Sequence, residues 1–137
     1  MKYDLSIQTS KLTEMVNITT DIQRLITATG IQNGLVVVHI PHTTAAITIN
    51  EGADPSVKED IIDTLNEIVP WERVYGHAEG NSPAHIKASL FGSSVTVILD
   101  QGRLLLGQWQ SIFFCEFDGP RHRRAVIKIM PEQGPPF

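Results

Sequence analysis

The chain has 137 residues, a net charge of -4 and a sequence isoelectric point near 5.7, with 42% hydrophobic and 19% charged residues. This length fits a single domain, and this composition is typical of a folded globular protein rather than a disordered one. The acidic balance argues against a general nucleic-acid-binding surface, and no apolar run approaches the ~20 residues that a membrane-spanning helix needs, so neither nucleic acid nor a membrane is expected as a partner.

Cysteine usage and the two ends of the chain complete this outline. Cys115 is the single cysteine, which excludes an internal disulfide framework and fits a reducing cytoplasm. The N-terminus carries no signal-peptide pattern, so we expect a cytoplasmic protein. The domain is predicted to span residues 1–131, and the Gly- and Pro-containing segment 132–137 is predicted to be a frayed tail.

The first half of the chain reads as four strands and one helix. A helical stripe follows a predicted Thr20-Asp21 cap and ends at Gly30. Alternating patterns and runs that are apolar on both faces predict strands at 3–7, 15–18, 35–40 and 45–49.

The second half predicts two helices followed by three strands. Asp54 is the predicted N-cap of the longer helix, which Pro70 stops. Ser82 is the predicted N-cap of a shorter helix that ends near Gly92. The last strands are predicted at 94–99, about 108–117, and 124–130. Strand pairs and helices fall in separate blocks, which predicts an α+β fold with largely antiparallel pairing.

The strand at 112–117 is apolar on both faces, and this predicts a further layer. Phe113, Cys115 and Phe117 share one face, while Ile112 and Phe114 share the other. Another sheet or another subunit must cover the second face, so we expect a homo-oligomer. Glu116 falls on such a face, where a carboxylate is expected to be paired or functional.

Three histidines are candidate metal ligands. His77 and His85 flank a polar, turn-rich segment, and His42 follows an apolar strand. Three imidazoles with one open position is the usual form of a catalytic zinc site, although this spacing matches no short-range zinc motif. The alternative is that each histidine makes an ordinary hydrogen bond in its loop.

Two carboxylates at the end of a predicted strand are candidate catalytic groups. Glu51 and Asp54 follow the strand at 45–49, and active groups often lie in the loops after strands. Asp54 has a clear structural alternative as a helix cap. No such alternative stands out for Glu51.

Phosphate recognition and ring stacking are the other chemistry that the sequence predicts. The helix start at 82–85, the hydroxyls of Thr43 and Thr44, and Arg121 together suit a phosphate or diphosphate. Gln108-Trp109-Gln110 combines two amides with an aromatic plane and could orient a flat heterocycle, although such a tryptophan is often a core residue. Cys115 is a poor nucleophile candidate because an apolar strand surrounds it.

Longer sequence blocks resemble a known family. HTTAAITINE at 42–51 and NSPAHIKASL at 81–90 resemble the YjbQ family (UPF0047), which is also labelled secondary thiamine-phosphate synthase. Further agreement lies at 53–55, 92–94, 102–104, 106–110, 115–116 and 119–121.

The resemblance implies a fold, an assembly and an activity. The fold would be two packed, sandwich-like sheets with two main helices and one short helix, assembled as a homotrimer. The activity would join an aminopyrimidine diphosphate to a thiazole phosphate and release pyrophosphate. The polar family residues that carry over to this sequence are His42, Glu51, Asp54, His77, Asn81, His85, Gln108, Gln110, Glu116 and Arg121.

These observations lead to one hypothesis and two alternatives. The leading hypothesis is a transferase that binds a small phosphorylated molecule at a site with a divalent metal, zinc for these donors, held by His42, His77 and His85. Glu51, Asp54 and Glu116 are its candidate catalytic carboxylates. Thr43, Thr44, Asn81, Ser82, Gln108, Trp109, Gln110 and Arg121 are its candidate substrate contacts. The alternatives are a metal-dependent hydrolase of a small phosphorylated or amide substrate and a non-catalytic metal- or small-molecule-binding trimer.

Overall fold

The computed structural model describes residues 2–134, which form eight strands and three helices. The predicted tail falls partly outside this range, because residues 135–137 are not described. In chain order the elements are β1 (Lys2–Gln8), β2 (Glu14–Asn17), α1 (Thr19–Thr29), β3 (Gly34–His39), β4 (Ala45–Glu51), α2 (Pro55–Ile68), α3 (Ser82–Phe91), β5 (Ser94–Asp100), β6 (Arg103–Leu104), β7 (Gln110–Glu116) and β8 (His122–Pro131).

The strands form two antiparallel sheets. The large sheet has the order β1-β8-β3-β5-β6, and the small sheet has the order β2-β7-β4. Strands distant in sequence lie side by side, so β1 pairs with β8 and β4 pairs with β7 along their lengths. The prediction of an α+β fold with two packed, mostly antiparallel sheets and three helices is confirmed.

The main hydrophobic core lies between the two sheets. Val36 and Val38 of β3 face the small sheet, from which Ile112 and Phe114 of β7 project. Helix α1 closes one side of this core with Ile22, which is fully buried. Burial of these branched and aromatic side chains is the dominant favourable contribution to folding.

The other face of the small sheet is covered by helices of the same chain. Phe113, Cys115 and Phe117 pack with Leu65 of α2 and Ala84 of α3 in a second buried cluster. Of the two alternatives predicted for the second face of β7, another sheet or another subunit, the sheet is confirmed, and β7 needs no second subunit. Both faces are covered within one chain, by the large sheet on one side and by α2 and α3 on the other.

The uncovered surface is instead the outer face of the large sheet. The register places Leu35 of β3 beside Ile98 of β5 and Met130 of β8. These three side chains are 42%, 52% and 51% exposed. An apolar row across three neighbouring strands is typical of a surface that another molecule covers.

Helix starts follow the sequence in one case and depart from it in two. Asp54 caps α2 as predicted, because its side chain accepts from the Ser56 amide at 3.0 Å. The predicted Thr20-Asp21 cap of α1 is wrong: the N-cap is Ile18, and the Asn17 side chain accepts from the Thr19 amide. The N-cap of α3 is Asn81 rather than Ser82.

No helix within residues 2–134 is both long and apolar enough to cross a membrane.

Candidate functional site

The loop between β3 and β4 carries His42 and is held against the start of β8. The Arg124 backbone N–H donates to His42 Nε2 at 3.2 Å. Burial, followed by the positive charges of Arg123 and Arg124, lowers the pKa of His42 below its usual value of 6.5. The ring is therefore neutral at pH 7. Because Nε2 accepts this hydrogen bond, the one N–H proton of the neutral ring lies on Nδ1.

A buried ion pair lies beneath this loop. Arg123 Nε donates to Glu116 Oε1 at 2.9 Å, and Arg123 Nη2 donates to the Thr44 hydroxyl at 2.8 Å. Thr9 donates to the same Glu116 oxygen at 2.7 Å. Glu116 is fully buried and Arg123 is 5% exposed. The pair joins β7 of the small sheet to β8 of the large sheet and fixes the residue two positions after His42.

Two predicted site residues belong to this network instead of to an open site. Glu116, a candidate catalytic carboxylate, is paired and has no exposed surface. Thr44, a candidate phosphate contact, has its hydroxyl turned inward to Arg123. A group without solvent access cannot contact substrate in this conformation, so both act through the position of the His42 loop.

A cavity of about 510 Å³ lies between the His42 loop and α3. His42 and Thr43 form one wall, and His85 and Ser89, one helical turn apart on α3, form the opposite wall. Its full lining is His42, Thr43, Ala45, His85, Ala88, Ser89, Gly92 and Ser93. The Ser89 hydroxyl donates to the His85 carbonyl at 2.9 Å. The cavity thus offers two imidazoles and the hydroxyls of Thr43 and Ser93, an arrangement suited to hydrogen bonding with anionic oxygens.

His77 lies beside this cavity without completing a metal site. The rings of His77 and His85 contact edge to face with centroids 5.5 Å apart. His77 Nε2 lies 3.9 Å from a carboxylate oxygen of Glu79. Within residues 2–134, no three His, Cys, Asp or Glu side chains are close enough together to hold a metal ion. The histidines of one chain therefore do not by themselves fit the predicted three-ligand centre.

The start of α3 is fixed to the turn between β7 and β8. Asn81 Nδ2 donates to Asp118 Oδ2 at 3.0 Å, and Arg121 donates to the same oxygen at 2.9 Å. Asn81 Oδ1 is buried and accepts no hydrogen bond from any residue between 2 and 134. Ser82 is the first helical residue and is partly exposed. Asn81 and Arg121, predicted to bind substrate, thus hold the helix that carries His85 and do not line the cavity.

The remaining predicted residues lie at the opposite end of the small sheet. β4 has seven residues, and at about 3.3 Å per residue its two ends are about 20 Å apart. Glu51 pairs in register with Gln110, and the Gly52 amide donates to the Trp109 carbonyl. Glu51, Asp54 and the segment 108–110 therefore form one group, distant from the histidine cavity of the same chain.

The side chains of this second group have mostly structural partners. Glu51 Oε2 accepts from the Ala53 amide at 2.8 Å, and Gln110 Oε1 accepts from the Gly107 amide at 2.8 Å. Hydrogen bonds from Ser56 lower the pKa of the Asp54 carboxyl. Gln108 is exposed, and Trp109 is 58% exposed. The interpretation of Trp109 as a core residue is wrong, and its aromatic face is available for contact.

Sequence reasoning missed the roles of Arg123 and Arg124. The cluster of arginines at 121–124 is visible in the sequence, but strand alternation in β8 sends Arg123 inward and Arg124 outward. The alternating burial of β8 could have been predicted. The contacts of Arg123 with Glu116 and of the Arg124 backbone with His42 could not be predicted, because they depend on how the two sheets pack.

Comparison with known proteins places these features in one family. The family model described as "UPF0047 protein YjbQ-like" matches residues 3–132. The UPF0047 protein YugU of Bacillus subtilis is 50% identical over 127 residues, which cover 92% of this chain and 96% of that protein. A UPF0047 protein of Methanocaldococcus jannaschii is 50% identical over 133 residues, covering 97% of this chain and 96% of its own.

Solved structures agree with the fold. A YjbQ/UPF0047 family protein of Clostridium acetobutylicum, described as uncharacterized, has a TM-score of 0.91 and 48% identity. The match covers 93% of this chain and 99% of that one. A YbjQ-like protein of unknown function from Sulfolobus solfataricus has a TM-score of 0.92 at 32% identity, covering 96% of this chain and 97% of that one.

Proposed function

Because the chain belongs to the UPF0047 protein YjbQ-like family, we propose that it is a transferase of the thiamine-phosphate synthase type, as the resemblance of its motifs implies. It joins an aminopyrimidine diphosphate to a thiazole phosphate. The methylene C–O bond to the diphosphate breaks, the thiazole nitrogen lone pair forms a C–N bond to that carbon, and pyrophosphate leaves.

The observation that supports this proposal is the cavity between the His42 loop and α3. Its volume of about 510 Å³ falls within the range of small-molecule sites. The neutral His42 ring supplies an N–H donor at Nδ1, and Thr43 and Ser93 supply hydroxyls. Such donors stabilise negative charge as it develops on a departing diphosphate.

A divalent metal is part of the proposal only at the level of the assembled protein. Imidazole donors suit zinc, and His85 together with His77 would supply part of a site that a donor from a second subunit completes. When bound, such a metal would neutralise charge on the diphosphate. The residues of one chain do not complete that centre, so no step depends on it here.

Separation of the polar residues into two groups supports a site shared between subunits. Glu51 and Trp109 lie about 20 Å along β4 from the histidine cavity of their own chain. In a cyclic homotrimer one end of a protomer can face the other end of its neighbour, because heterologous interfaces join different surfaces. Glu51 and Trp109 of one subunit would then approach the cavity of the next, where the carboxylate would stabilise a cationic pyrimidine-methyl group.

The test measures pyrophosphate release and product formation by purified protein supplied with the aminopyrimidine diphosphate, with and without the thiazole phosphate. We expect release that requires the thiazole phosphate and falls by at least about tenfold in His85→Ala. Glu67→Ala is the control, because Glu67 is exposed on α2, lines neither group of site residues and should leave the rate unchanged.

Other outcomes would contradict the proposal. Pyrophosphate or phosphate release without the thiazole phosphate would indicate a hydrolase. Ligand binding without turnover in the native protein would indicate a binding module. Metal analysis of the native protein and of the His42, His77 and His85 alanine variants decides the metal component, since equal metal content in all four would exclude these ligands.

A further inference from the structure

We infer that a second cavity, on the other side of His42, binds a phosphate group of the second substrate. This inference rests on the proposed function, because a transferase that joins two phosphorylated molecules needs two places for phosphate. The cavity has a volume of about 310 Å³. Its lining is Asp4, Ser6, His42, His122, Arg123 and Arg124.

Strand pairing places the polar side chains of this cavity together. In the β1–β8 register Ser6 lies beside Arg124, and His122 follows two residues away on the same face of β8. Ser6 Oγ and His122 Nε2 are 3.0 Å apart. The hydroxyl and the imidazole thus form one hydrogen-bonded unit next to a guanidinium. Hydroxyl, imidazole and guanidinium donors together are suited to phosphate oxygens.

The charge balance favours an anion. Glu116 neutralises Arg123, whereas Arg124 and Lys2 share the single carboxylate of Asp4 at 3.2 and 3.5 Å. Among the described residues, the Arg124 side chain has a polar partner only through Nη1. Its Nε and Nη2 groups are therefore available. The planar guanidinium is suited to bidentate contact with phosphate.

His42 is the wall common to both cavities. It lines the cavity formed with α3 and also the cavity formed by β1 and β8. Reacting atoms must approach to roughly 3–3.5 Å, so two substrates need binding sites that meet at one point. With one phosphate group held on the α3 side and the other at Arg124, the organic parts of the two molecules would meet beside His42.

Inorganic phosphate is the probe for the binding test, followed through the side-chain NMR signals of His122 and His42. We expect phosphate to shift both signals, and Arg124→Gln to weaken this binding by about tenfold, the loss of one charge-assisted contact. This variant keeps the backbone N–H that donates to His42. The control is Arg24→Gln, which removes the same charge from an exposed arginine of α1.

Two outcomes of the binding test would overturn the inference. If added phosphate does not change the chemical shift of the His122 side chain, phosphate does not occupy the second cavity. If Arg124→Gln and Arg24→Gln weaken binding equally, the effect is one of general charge.

Kinetics separate this inference from the proposed function. Suppose that phosphate binds at His122 and this binding depends on Arg124, but the protein forms no thiamine phosphate. That result would support the anion subsite and exclude the proposed transferase activity. If the protein is an active transferase, Arg124→Gln should raise the KM of one substrate by about tenfold and leave that of the other unchanged. An active Arg124→Gln variant with both KM values unchanged would overturn the subsite and retain the transferase.

Discussion

The Glu116 side chain is fully buried, yet its environment keeps it charged. Burial alone raises the pKa of a carboxyl, but here hydrogen bonds from Arg123, Thr9 and the Asp118 amide outweigh burial and hold the pKa of Glu116 below its usual value of 4.5. The position of Glu116 within the apolar run 112–117 predicted a carboxylate that is either paired or functional. In the structure this carboxylate is paired with Arg123. The partner could not be predicted from the sequence, because Arg123 lies on the other sheet and reaches Glu116 only after the sheets pack.

The Glu116→Gln substitution tests the contribution of this pair. It leaves Arg123 buried without a counter-charge, so we expect the free energy of unfolding to fall by about 3–5 kcal/mol in urea denaturation at pH 7. Glu67→Gln is the control, since Glu67 is exposed on α2 and should change stability little. Equal stability of the two variants would contradict a stabilising role for the buried pair.

The same variant should lose part of the acid sensitivity of the protein. The folded-state pKa of Glu116 lies below its unfolded value, so the unfolded state binds its proton first as the pH falls. The stability from this group is fully present above its unfolded pKa of 4.5 and is lost as the pH falls through the folded-state pKa. Native protein should therefore lose more stability below pH 5 than Glu116→Gln does.

At the scale of elements, the helix starts show how local sequence signals compete. For α2 the Asp54 cap and Pro55 at the first position agree, and the helix begins where the sequence predicts. For α3 the Asn81 side chain bonds to Asp118, so it is drawn away from capping its own helix. Local patterns predicted the existence of both helices. They could not predict that a tertiary partner takes the Asn81 side chain.

The two roles weighed for Asp54 can be separated by paired substitutions. Asp54→Asn keeps an N-cap acceptor, so we expect an unchanged thermal midpoint and unchanged turnover. Asp54→Ala removes the acceptor for the Ser56 amide and should lower the midpoint, while turnover well below that temperature stays the same. A loss of turnover of more than about tenfold in Asp54→Asn, with its midpoint unchanged, would instead assign Asp54 a catalytic role.

At the scale of the whole molecule, the sequence predicted the layers but not their order. Both apolar faces of β7 were visible, as were the helices available to cover them. A single sequence does not say on which sheet α2 and α3 pack, so it left open whether another sheet or another subunit covers the second face of β7. In the candidate site, His42 and His85 line one cavity. The distance between that cavity and Glu51 follows from the direction of β4, which spacing in the sequence does not reveal.

The outer face of the large sheet is where we expect subunits to meet. Leu35, Ile98 and Met130 lie side by side there and are each about half exposed. A glutamate at Ile98 would have to be desolvated in an interface centred on this row, which is costly for an unpaired charge. Sedimentation analysis of the native protein should give three times the chain mass of 15.2 kDa, and Ile98→Glu should give a single chain with unchanged circular dichroism.

The control for this prediction is Val74→Glu, because Val74 is 96% exposed in the loop after α2 and should leave the assembly intact. A native protein that stays a single chain at all concentrations would contradict the trimer, whereas a trimeric Ile98→Glu variant would contradict the assignment of this face as the interface.

The assembly also bears on the site. If Glu51 and Trp109 of one subunit complete the cavity of the next, a folded single-chain Ile98→Glu should lose turnover although every residue of the histidine cavity is unchanged. Full turnover in a single chain would place the whole reaction within one subunit.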